Sequence, residues 1–323
     1  MGFKYINPGL VLNNDTAFVR STSTTHTKTG HAFSTTKSYG SIYYLNLLTL
    51  DDYYDEIYGM FDIYTPALTG SSNISALATL YLGSTESDFP RTTIQITDGY
   101  SSKNKTRSLI YNSQSYITSS SARSISIAYD STSTSFNKIH TIYFHLKNSI
   151  LSIIYVDGVS KVNRVDETGT STNSSTYCLY LNYNLIKFNV NQNLYISNLI
   201  LSDSRITPNE TMIEVPISST STNMTESSGV YTASSVGNYL LQTPNKSSLV
   251  SSYPNHRVTG ISTVAQPAYT NGTPTTIAGR ESSLKHDSTV LTTSNVAGAL
   301  SSWKANLAMS QIDSKQYGWE VIA

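Results

Sequence analysis

The residues from Ile150 to Val162 constrain the fold more than any other stretch of this chain. Ile150–Val156 is an apolar run of strand length, and it ends at Asp157-Gly158, a pair that favours a two-residue turn between antiparallel strands. Val159–Val162 then reads as a second short strand. Because Thr141–Leu146 precedes this hairpin with strand-like alternation, the segment predicts a three-stranded antiparallel meander.

Alternation of apolar and polar residues with a period of two recurs along most of the chain, and polar loops rich in Ser, Thr, Gly and Asp separate the alternating runs. The clearest alternating runs are Phe61–Tyr64, Ala76–Leu82, Thr92–Thr97 and Ser124–Tyr129, while Tyr195–Asp203 reads as a strand that ends in a polar turn. In two of them one face is defined by isoleucine pairs, Ile94 with Ile96 and Ile125 with Ile127. Regularly spaced short strands of this kind predict an all-β sandwich or barrel.

The second part of the chain reads as a smaller β-rich domain. Thr207-Pro-Asn-Glu210 and Pro216 place the boundary near residues 207–216, so the predicted domains are 1–210 and 211–323. Beyond the boundary, Ser218–Asn223 reads as a polar linker or strand edge. Gly229–Thr232 and Tyr239–Gln242 read as short strands.

Near the C-terminus the sequence predicts one helix and a last strand. The helix prediction rests on a stripe with helical spacing and on a cap at Asn295 or Ser294, and the stripe consists of Val296, Leu300, Trp303 and Leu307. Tyr317–Ile322 then reads as a terminal strand anchored by Trp319.

Charge and composition narrow the classes of partner. The 21 basic residues balance the 21 acidic ones, and only 13% of the 323 residues are charged. Such a chain lacks the clustered Lys and Arg that neutralise phosphates, and Lys103–Arg107, the one dense basic stretch, reads as a solvated loop. We therefore expect no nucleic acid partner. The polarity of the chain comes mainly from Ser, Thr and Asn. The chain also has 24 Tyr but only 8 Phe.

Several features concern the cellular setting. Met1–Ile6 opens no signal-peptide pattern, and no apolar run has the roughly 18 residues of a membrane span. Cys178 is the single cysteine, so the chain cannot form an intrachain disulfide. We expect assembly in a reducing cytosol and no insertion into a membrane.

The segment Thr141–Glu210 resembles the C-terminal half of a concanavalin A-like or laminin-G-like domain, through Ile154–Gly158 and Tyr195–Asp203. The resemblance implies an antiparallel jelly-roll sandwich for the first domain. This fold includes glycan binders, glycan hydrolases and structural spacers. The motifs that carry the resemblance are neither catalytic nor ligand-specific.

The whole chain is also similar to tail proteins of tailed bacteriophages that place such a domain first and a small β domain after it. The similarity lies in Val215–Met224, Gly229–Thr243 and Tyr317–Val321. It implies a virion component of the tail fibre or tail tip, assembled in the host cytoplasm. Its expected partners are other virion subunits, further copies of the chain in a homo-oligomer, and a host surface glycan.

Glycoside hydrolysis is the enzymatic activity to test against this sequence. Jelly-roll glucanases carry a Glu-x-Asp-x-Glu strand, which puts three carboxylates on one face, two of them catalytic. The nearest match here is Met60-Phe-Asp62-Ile-Tyr64, in which Met60 and Tyr64 occupy both glutamate positions. We therefore predict no catalytic residues and no enzyme of that type.

Other candidate sites have no supporting ligand pattern. The acidic run Asp51–Glu56 could contribute oxygen ligands to a cation, but it equally suits a polar turn before a strand. Asp157 is read as a turn former rather than a metal ligand. His140 and His145 lie five apart on a presumed strand and so face opposite sides, while His31, His256 and His286 lack a partner at ligand spacing. No cofactor is predicted, and the sequence defines no metal ligand set.

Tyrosine is the remaining candidate for recognition, because its ring can stack on a sugar while its hydroxyl forms hydrogen bonds. Five tyrosines crowd one segment: Tyr43, Tyr44, Tyr53, Tyr54 and Tyr58. The alternative is that these rings pack in the core or at a subunit interface.

Three hypotheses follow from the sequence. The leading one is a non-enzymatic tail protein whose jelly roll is displayed for attachment to a host cell or glycan. The second is a purely structural decoration or connector subunit that binds no glycan. The third is a divergent polysaccharide depolymerase that depends on Asp62.

Overall fold

The computed structural model describes residues 4–9, 17–35, 45–54, 56–65, 74–83, 91–100, 105–114, 123–130, 137–147, 150–163, 183–190, 194–265, 275–291 and 299–323. In these ranges the chain consists mainly of antiparallel β-strands, with a short α-helix and a 3-10 helix. The prediction of an all-β chain with antiparallel sheets and a short helix is confirmed.

Fourteen strands are described before residue 203. They are β1 (Lys4–Asn7), β2 (Phe18–Ser21), β3 (Ala32–Thr35), β4 (Leu45–Tyr54), β5 (Glu56–Thr65), β6 (Ile74–Gly83), β7 (Arg91–Tyr100), β8 (Lys105–Gln114), β9 (Arg123–Asp130), β10 (Lys138–Lys147), β11 (Ile150–Val156), β12 (Val159–Asn163), β13 (Tyr183–Val190) and β14 (Tyr195–Ser202). The runs predicted as strands fall within them, except that β14 ends one residue before Asp203. The faces of Ile94, Ile96, Ile125 and Ile127 lie outside the described side chains.

The described residues after 203 add nine strands and two helices. They are β15 (Ile217–Thr222), β16 (Thr225–Ser227), β17 (Val230–Thr232), β18 (Tyr239–Pro244), α1 (Lys246–Ser252), β19 (Arg257–Ala265), β20 (Thr275–Glu281), β21 (Leu284–Leu291), β22 (Ala299–Ala308), the 3-10 helix Met309–Ser314 and β23 (Tyr317–Val321). Neither helix has the length and hydrophobicity of a transmembrane span.

The chain divides into two compact units. The large unit is Thr16–Thr211, and the small unit combines Phe3–Asp15 with Met212–Ala323. The predicted domains, 1–210 and 211–323, differ from this division in the N-terminal segment. Contacts with the last third of the chain account for the difference, since Lys4 Nζ donates to Thr259 Oγ1 at 2.8 Å and Ser302 Oγ donates to the Ile6 carbonyl at 3.2 Å.

The large unit contains two antiparallel sheets. In the first sheet the strand order is β12-β11-β10-β5-β14-β3-β2, and in the second it is β4-β13-β6-β7-β8-β9. The chain passes repeatedly from one sheet to the other, because the successive strands β3, β4, β5 and β6 alternate between them. Strands distant in sequence therefore become neighbours, as β5 does with β10 and β14.

The core of the large unit follows from the alternation along these strands. In the first sheet Phe61, Ile63 and Phe144 are each at most 1% exposed. In the second sheet Leu80 and Leu82 are fully buried. Burying such side chains stabilises the folded unit by about 1.5–3 kcal/mol each.

The predicted meander is confirmed, and its turn has the predicted geometry. β10, β11 and β12 are antiparallel neighbours, with Val156 opposite Val159 at the hairpin. Asp157 and Gly158 have φ angles of +52° and +75°. A type I′ turn requires positive φ at both central positions, and Asp-Gly meets that requirement at little steric cost.

The small unit is built around a third sheet with the order β15-β18-β23-β20-β21. β23 lies in its centre, and all five residues from Tyr317 to Val321 are buried. The predicted terminal strand with its anchor Trp319 is therefore confirmed. Strands β19 and β22 pair separately, and Trp303 of β22 packs in an apolar cluster with Leu249 of α1 and Ile312 of the 3-10 helix.

The predicted helix near residues 296–307 is wrong. Residues 299–308 form strand β22, in which Ala299, Ser301 and Trp303 are buried in alternation. From Ala299 to Trp303 every second side chain is buried, and the pairing of β22 with β19 outweighs a four-residue helical stripe. The α-helix is instead α1, where the Asn245 side chain caps the N-terminus by accepting from Ser248 N at 3.4 Å.

Candidate functional site

The candidate site lies on the face of the first sheet that points away from Phe61 and Ile63. We call it the polar face, and along β5 it carries Glu56, Tyr58, Met60, Asp62 and Tyr64. Strand register places Thr141 of β10 opposite Asp62 and Tyr195 of β14 opposite Tyr64. With about 3.3 Å per residue, the face extends roughly 26 Å along β5.

Asp62 is the centre of a hydrogen-bonded group that we call the Asp62 cluster, formed by Lys28, Asp62, Thr141 and Asn198. Its carboxylate is 4% exposed and accepts from three donors. Thr141 Oγ1 and Lys28 Nζ reach Oδ1 at 2.5 and 3.2 Å, and Asn198 Nδ2 reaches Oδ2 at 2.8 Å. A buried carboxylate needs such partners, because an unpaired one is strongly disfavoured away from water.

A backbone irregularity brings Asn198 into the cluster. The register of β14 against β5 shifts between Ser197 and Ile200, and Asn198 has a φ of +53°. A bulge of this kind redirects a side chain out of the regular alternation. The amide oxygen of Asn198 accepts from Thr29 Oγ1 at 2.6 Å, so the β2–β3 loop is tied to the sheet through both Lys28 and Thr29.

Asp157 lies beside this cluster at the hairpin turn. Its carboxylate accepts from the Thr141 backbone N–H at 2.8 Å and lies 2.7 Å from His140 Nδ1. Burial raises the pKa of Asp157, but the bonds to His140 and Thr141 and the nearby charge of Lys28 together lower that pKa below its usual value. The carboxylate is therefore ionised at neutral pH and fixed to β10.

Three aromatic rings, the aromatic set, adjoin the Asp62 cluster on the polar face. His26 stacks on Tyr195 with ring centroids 3.8 Å apart and planes 10° apart, and it lies 4.8 Å from Tyr64. Ser21 Oγ is 2.8 Å from His26 Nδ1. Burial lowers the pKa of His26, which favours a neutral ring at neutral pH. Tyr64 is buried, whereas Tyr195 and His26 are partly exposed.

At the other end of the polar face lies the Glu56 cluster, formed by Glu56, Tyr58 and His145. Glu56 Oε1 is 2.8 Å from His145 Nε2 and accepts from Tyr58 OH at 3.0 Å. The Tyr58 and His145 rings stack at 4.0 Å with planes 4° apart. Burial raises the pKa of Glu56, yet the bonds from His145 and Tyr58 together with nearby positive charge bring it below its usual value.

The middle of the face, between the two clusters, is covered. Tyr143 OH donates to the Ile206 carbonyl at 3.2 Å, and Met60 is 3% exposed. Burial raises the pKa of Tyr143 to about 12, so its hydroxyl stays protonated. The polar face therefore presents two separate patches, one at each end of β5.

The predicted carboxylate strand has the expected alternation. Met60, Asp62 and Tyr64 share the polar face, and Asp62 is flanked by a methionine and a tyrosine. With both of its oxygens engaged by donors, Asp62 is arranged to hold Lys28, Thr141 and Asn198 in place. An acid/base residue of a retaining or inverting glycosidase would need a second carboxylate across the bond to be cleaved.

The histidines lie in separate environments. His140 bonds to Asp157, whereas His145 bonds to Glu56 on the polar face. His31 Nδ1 is 2.6 Å from Arg20 Nη2, and His256 lies edge-on to a tyrosine ring. His286 Nε2 is 3.5 Å from Glu281 Oε2, and its ring stacks on Trp303 at 4.0 Å. Among the described residues, His, Cys, Asp and Glu form no group of three that could hold a metal ion.

Several candidates from the sequence lie outside the described residues or side chains: Tyr43, Tyr44, Asp51, Asp52, Tyr53, Asp55, the basic stretch 103–107 and Cys178. Of the acidic run, Glu56 is described and belongs to the Glu56 cluster. Of the crowded tyrosines, Tyr58 is on the polar face. The cation site suggested for residues 51–56 stays a prediction.

The sequence pattern did not indicate Lys28, Asn198 or His26. Lys28 and His26 belong to a polar loop, where no periodicity marks a residue that contacts the sheet. One feature of the sequence could have indicated Asn198, because the polar pair Ser197-Asn198 interrupts the otherwise apolar run of β14. A polar pair within a buried strand indicates a bulge or a buried hydrogen-bonded group.

Comparison with known proteins leaves the family open. No protein-family model matches this chain. No curated protein matches it significantly. A solved structure described as the binding domain of botulinum neurotoxin DC in complex with SialylT aligns over 99% of this chain and 93% of that chain, with 9% identity and a TM-score of 0.32. A similarity of that size supports no conclusion about ligand or assembly.

Proposed function

We propose that this chain is a non-enzymatic tail protein of a bacteriophage particle, and that its large unit attaches the particle to a glycan on the host cell. One observation carries the glycan-binding part of the proposal. On the polar face, the partly exposed rings of Tyr195 and His26 stack on each other, and Lys28, two residues after His26 in the same loop, presents a half-exposed ammonium that is held by the buried Asp62 carboxylate.

This combination suits a sugar. A sugar ring has apolar C–H faces that can stack on an aromatic ring and hydroxyls that exchange hydrogen bonds with rigid polar groups. Lys28 is half exposed, with 50% of its side chain accessible, so it can donate to a ligand while it stays paired with Asp62. Because the hydrogen bonds of the cluster already hold its side chains, a ligand would meet groups that need little reordering.

The architecture supports a concanavalin A-like assignment for the large unit. Its chain alternates between two antiparallel sheets, which is the general plan of a jelly roll. The virion setting rests on the resemblance of Val215–Met224, Gly229–Thr243 and Tyr317–Val321 to bacteriophage tail proteins.

The absence of enzymatic activity is part of the proposal. Asp62 is supported in a structural role by its three donors, and Asp157, the carboxylate beside the cluster, is itself held by His140 and by the Thr141 backbone N–H. Incubation of the full chain with host capsule or cell-wall polysaccharide should release no reducing ends. Release that disappears in Asp62→Ala would instead establish a depolymerase.

A glycan array probed with the full chain tests the attachment function. We expect selective binding to bacterial surface oligosaccharides, measured in parallel with adsorption of the labelled protein to intact cells. Binding to no glycan and no cell type would contradict the proposal.

A purely structural decoration or connector subunit is the second candidate. It is favoured by the fact that His26 and Tyr195 already stack on each other, as rings with a packing role do. Cryo-EM of the particle separates the two candidates. A large unit enclosed by neighbouring subunits would favour the structural one, and a large unit displayed at the surface would favour attachment.

A further inference from the structure

The two edges of the third sheet differ in how they are protected. In the described part of the small unit, β15 and β21 are the terminal strands of the order β15-β18-β23-β20-β21. A terminal strand presents unpaired backbone N–H and C=O groups along its outer side. Soluble proteins protect such edges with charged side chains, proline or bulges, because an unprotected edge pairs with another chain.

The β21 edge carries charge. Lys285 is exposed over half of its side chain and forms an ion pair with Glu320 at 2.8 Å. An approaching strand would have to accommodate the half-exposed Lys285 side chain, so we expect the β21 edge to remain unpaired.

The β15 edge strand carries no charged side chain. Ile217–Thr222 consists of one isoleucine, three serines and two threonines, and its first four residues are exposed. A register irregularity lies between Ile217 and Ser219, and from Ser219 to Thr222 the strand pairs regularly with Thr243–Leu240 of β18. At least four consecutive residues are therefore in regular strand geometry with an uncharged outer side.

We propose that β15 pairs antiparallel with β15 of a second copy of this chain, so that the third sheets of two copies join into one continuous sheet. The two-fold axis passes through Thr220, which then faces Thr220 of the second copy. Ser219 faces Ser221, and Ser218 faces Thr222. From Ser218 to Thr222 every opposed pair consists of hydroxyl side chains, which favour each other across antiparallel strands, and the three central pairs lie in the regular stretch that begins at Ser219.

A second copy fits this edge better than an unrelated chain for two reasons. A two-fold contact needs a surface that is complementary to itself, and an uncharged run of Ser and Thr meets that condition in the antiparallel direction. The edge also offers no charge with which to select a different partner. The inference does not depend on glycan binding by the large unit.

The strength of the contact follows from its size. A six-residue strand pair is smaller than the roughly 1,200–2,000 Å² of total surface buried in a standard stable interface. We therefore expect a reversible dimer that forms as the protein concentration rises, rather than an obligate one. Other subunits of an assembled particle could then hold the pairs in place.

The test is the mass of the full chain over a concentration series, measured by analytical ultracentrifugation. Wild type should shift from 35.4 kDa towards twice that mass. Thr220→Lys places two like charges opposite each other at the axis and should raise the dissociation constant roughly fivefold or more. The matched control is Ser288→Lys, which puts the same charge on an exposed position of the other edge strand, β21, and should leave the dimer unchanged.

A charge-swap experiment separates this register from a general loss of folding. Thr220→Lys and Thr220→Glu should each be largely monomeric alone, and an equimolar mixture should recover the dimer, because the two residues 220 face each other. Circular dichroism checks that each variant keeps its strand content. The proposal is overturned if wild type stays monomeric up to its solubility limit, if Thr220→Lys dimerises like wild type, or if the mixture fails to recover the dimer.

Discussion

At the scale of single residues, the Asp62 carboxylate joins parts of the chain that are far apart in sequence. Lys28, Thr141 and Asn198 are 34, 79 and 136 residues away from it, and all three donate to it. Two of these residues belong to strands and the third to a loop. The carboxylate therefore holds the β2–β3 loop against the sheet and fixes the geometry of the polar groups beside Tyr195.

Asp62→Asn should lower the free energy of unfolding of the large unit by about 2 kcal/mol. The amide keeps the shape of the side chain but replaces one acceptor with a donor, which would face the donors of Thr141, Lys28 or Asn198. Urea unfolding measures the loss. The control is Asp313→Asn in the exposed pair with Lys246, 3.4 Å apart, where we expect a change of roughly 0.5 kcal/mol or less. Equal stability of Asp62→Asn and wild type would contradict this account of the cluster.

The lowered pKa of Glu56 predicts how the stability of the folded state changes with pH. Its folded-state pKa lies below the ordinary value of 4.5, with burial opposing the shift and the bonds from His145 and Tyr58 producing it. A depressed carboxylate pKa stabilises the folded state above the unfolded-state pKa, and this stabilisation is lost as pH falls through the folded-state value. Melting temperatures should therefore fall from about pH 5 to pH 3 more steeply in wild type than in Glu56→Gln.

An exposed glutamate serves as the comparison for this pH series. Glu214→Gln should follow the wild-type melting curve, since Glu214 is exposed. Parallel curves for wild type and Glu56→Gln over this range would show that the Glu56 cluster contributes nothing to acid sensitivity.

At the scale of single residues, local sequence patterns identified only part of the candidate site. Asp62, Met60 and Tyr64 were placed on one face by strand alternation, and Asp157 was placed in its turn by the Gly that follows it. Lys28 could not be placed in the same way, because its partners are set by the order of strands in the sheet. Sequence spacing carries no information about that order.

At the scale of elements, β5 and β10 approach closely on the core face. Gly59 lies opposite Phe144, and a Cβ atom at position 59 would overlap the phenyl ring. The ring fills the space that a side chain on β5 would take, so the glycine is required by packing rather than by its own backbone angles.

Gly59→Ala should destabilise the large unit by roughly 1–3 kcal/mol through overpacking. In a Phe144→Leu background the smaller side chain leaves room for the new methyl group, and the same substitution should cost markedly less. A double-mutant cycle by urea unfolding measures the difference. If Gly59→Ala costs the same in both backgrounds, the ring contact is not the cause.

The β22 region shows why an element can be predicted wrongly. Trp303 belongs to the helical stripe with Leu300 and Leu307, and it also belongs to the alternating series with Ala299 and Ser301. Period-two alternation identified β5, β6, β7 and β9 because several consecutive matches agreed. In β22 the apolar positions satisfied both periods, and pairing with β19 decided between them.

At the scale of the whole molecule, the division into two units separates two proposed roles. The large unit carries the polar face, and the small unit carries the uncharged β15 edge. From the sequence, Thr207-Pro-Asn-Glu210 and Pro216 predicted a boundary near residues 207–216. The assignment of β1 to the small unit was not predicted, because Lys4 and Ile6 make contacts that are 255 and 296 residues away in the chain.

The central claim is that the polar face binds a glycan, and a titration of Tyr195→Ala tests it most directly. With the best ligand from the array, isothermal titration calorimetry should give an affinity roughly 30-fold weaker than wild type, the effect of removing an aromatic anchor worth about 2 kcal/mol. Tyr231→Ala removes a partly exposed tyrosine from strand β17 of the small unit and should bind like wild type. Unchanged affinity of a folded Tyr195→Ala variant would contradict the claim.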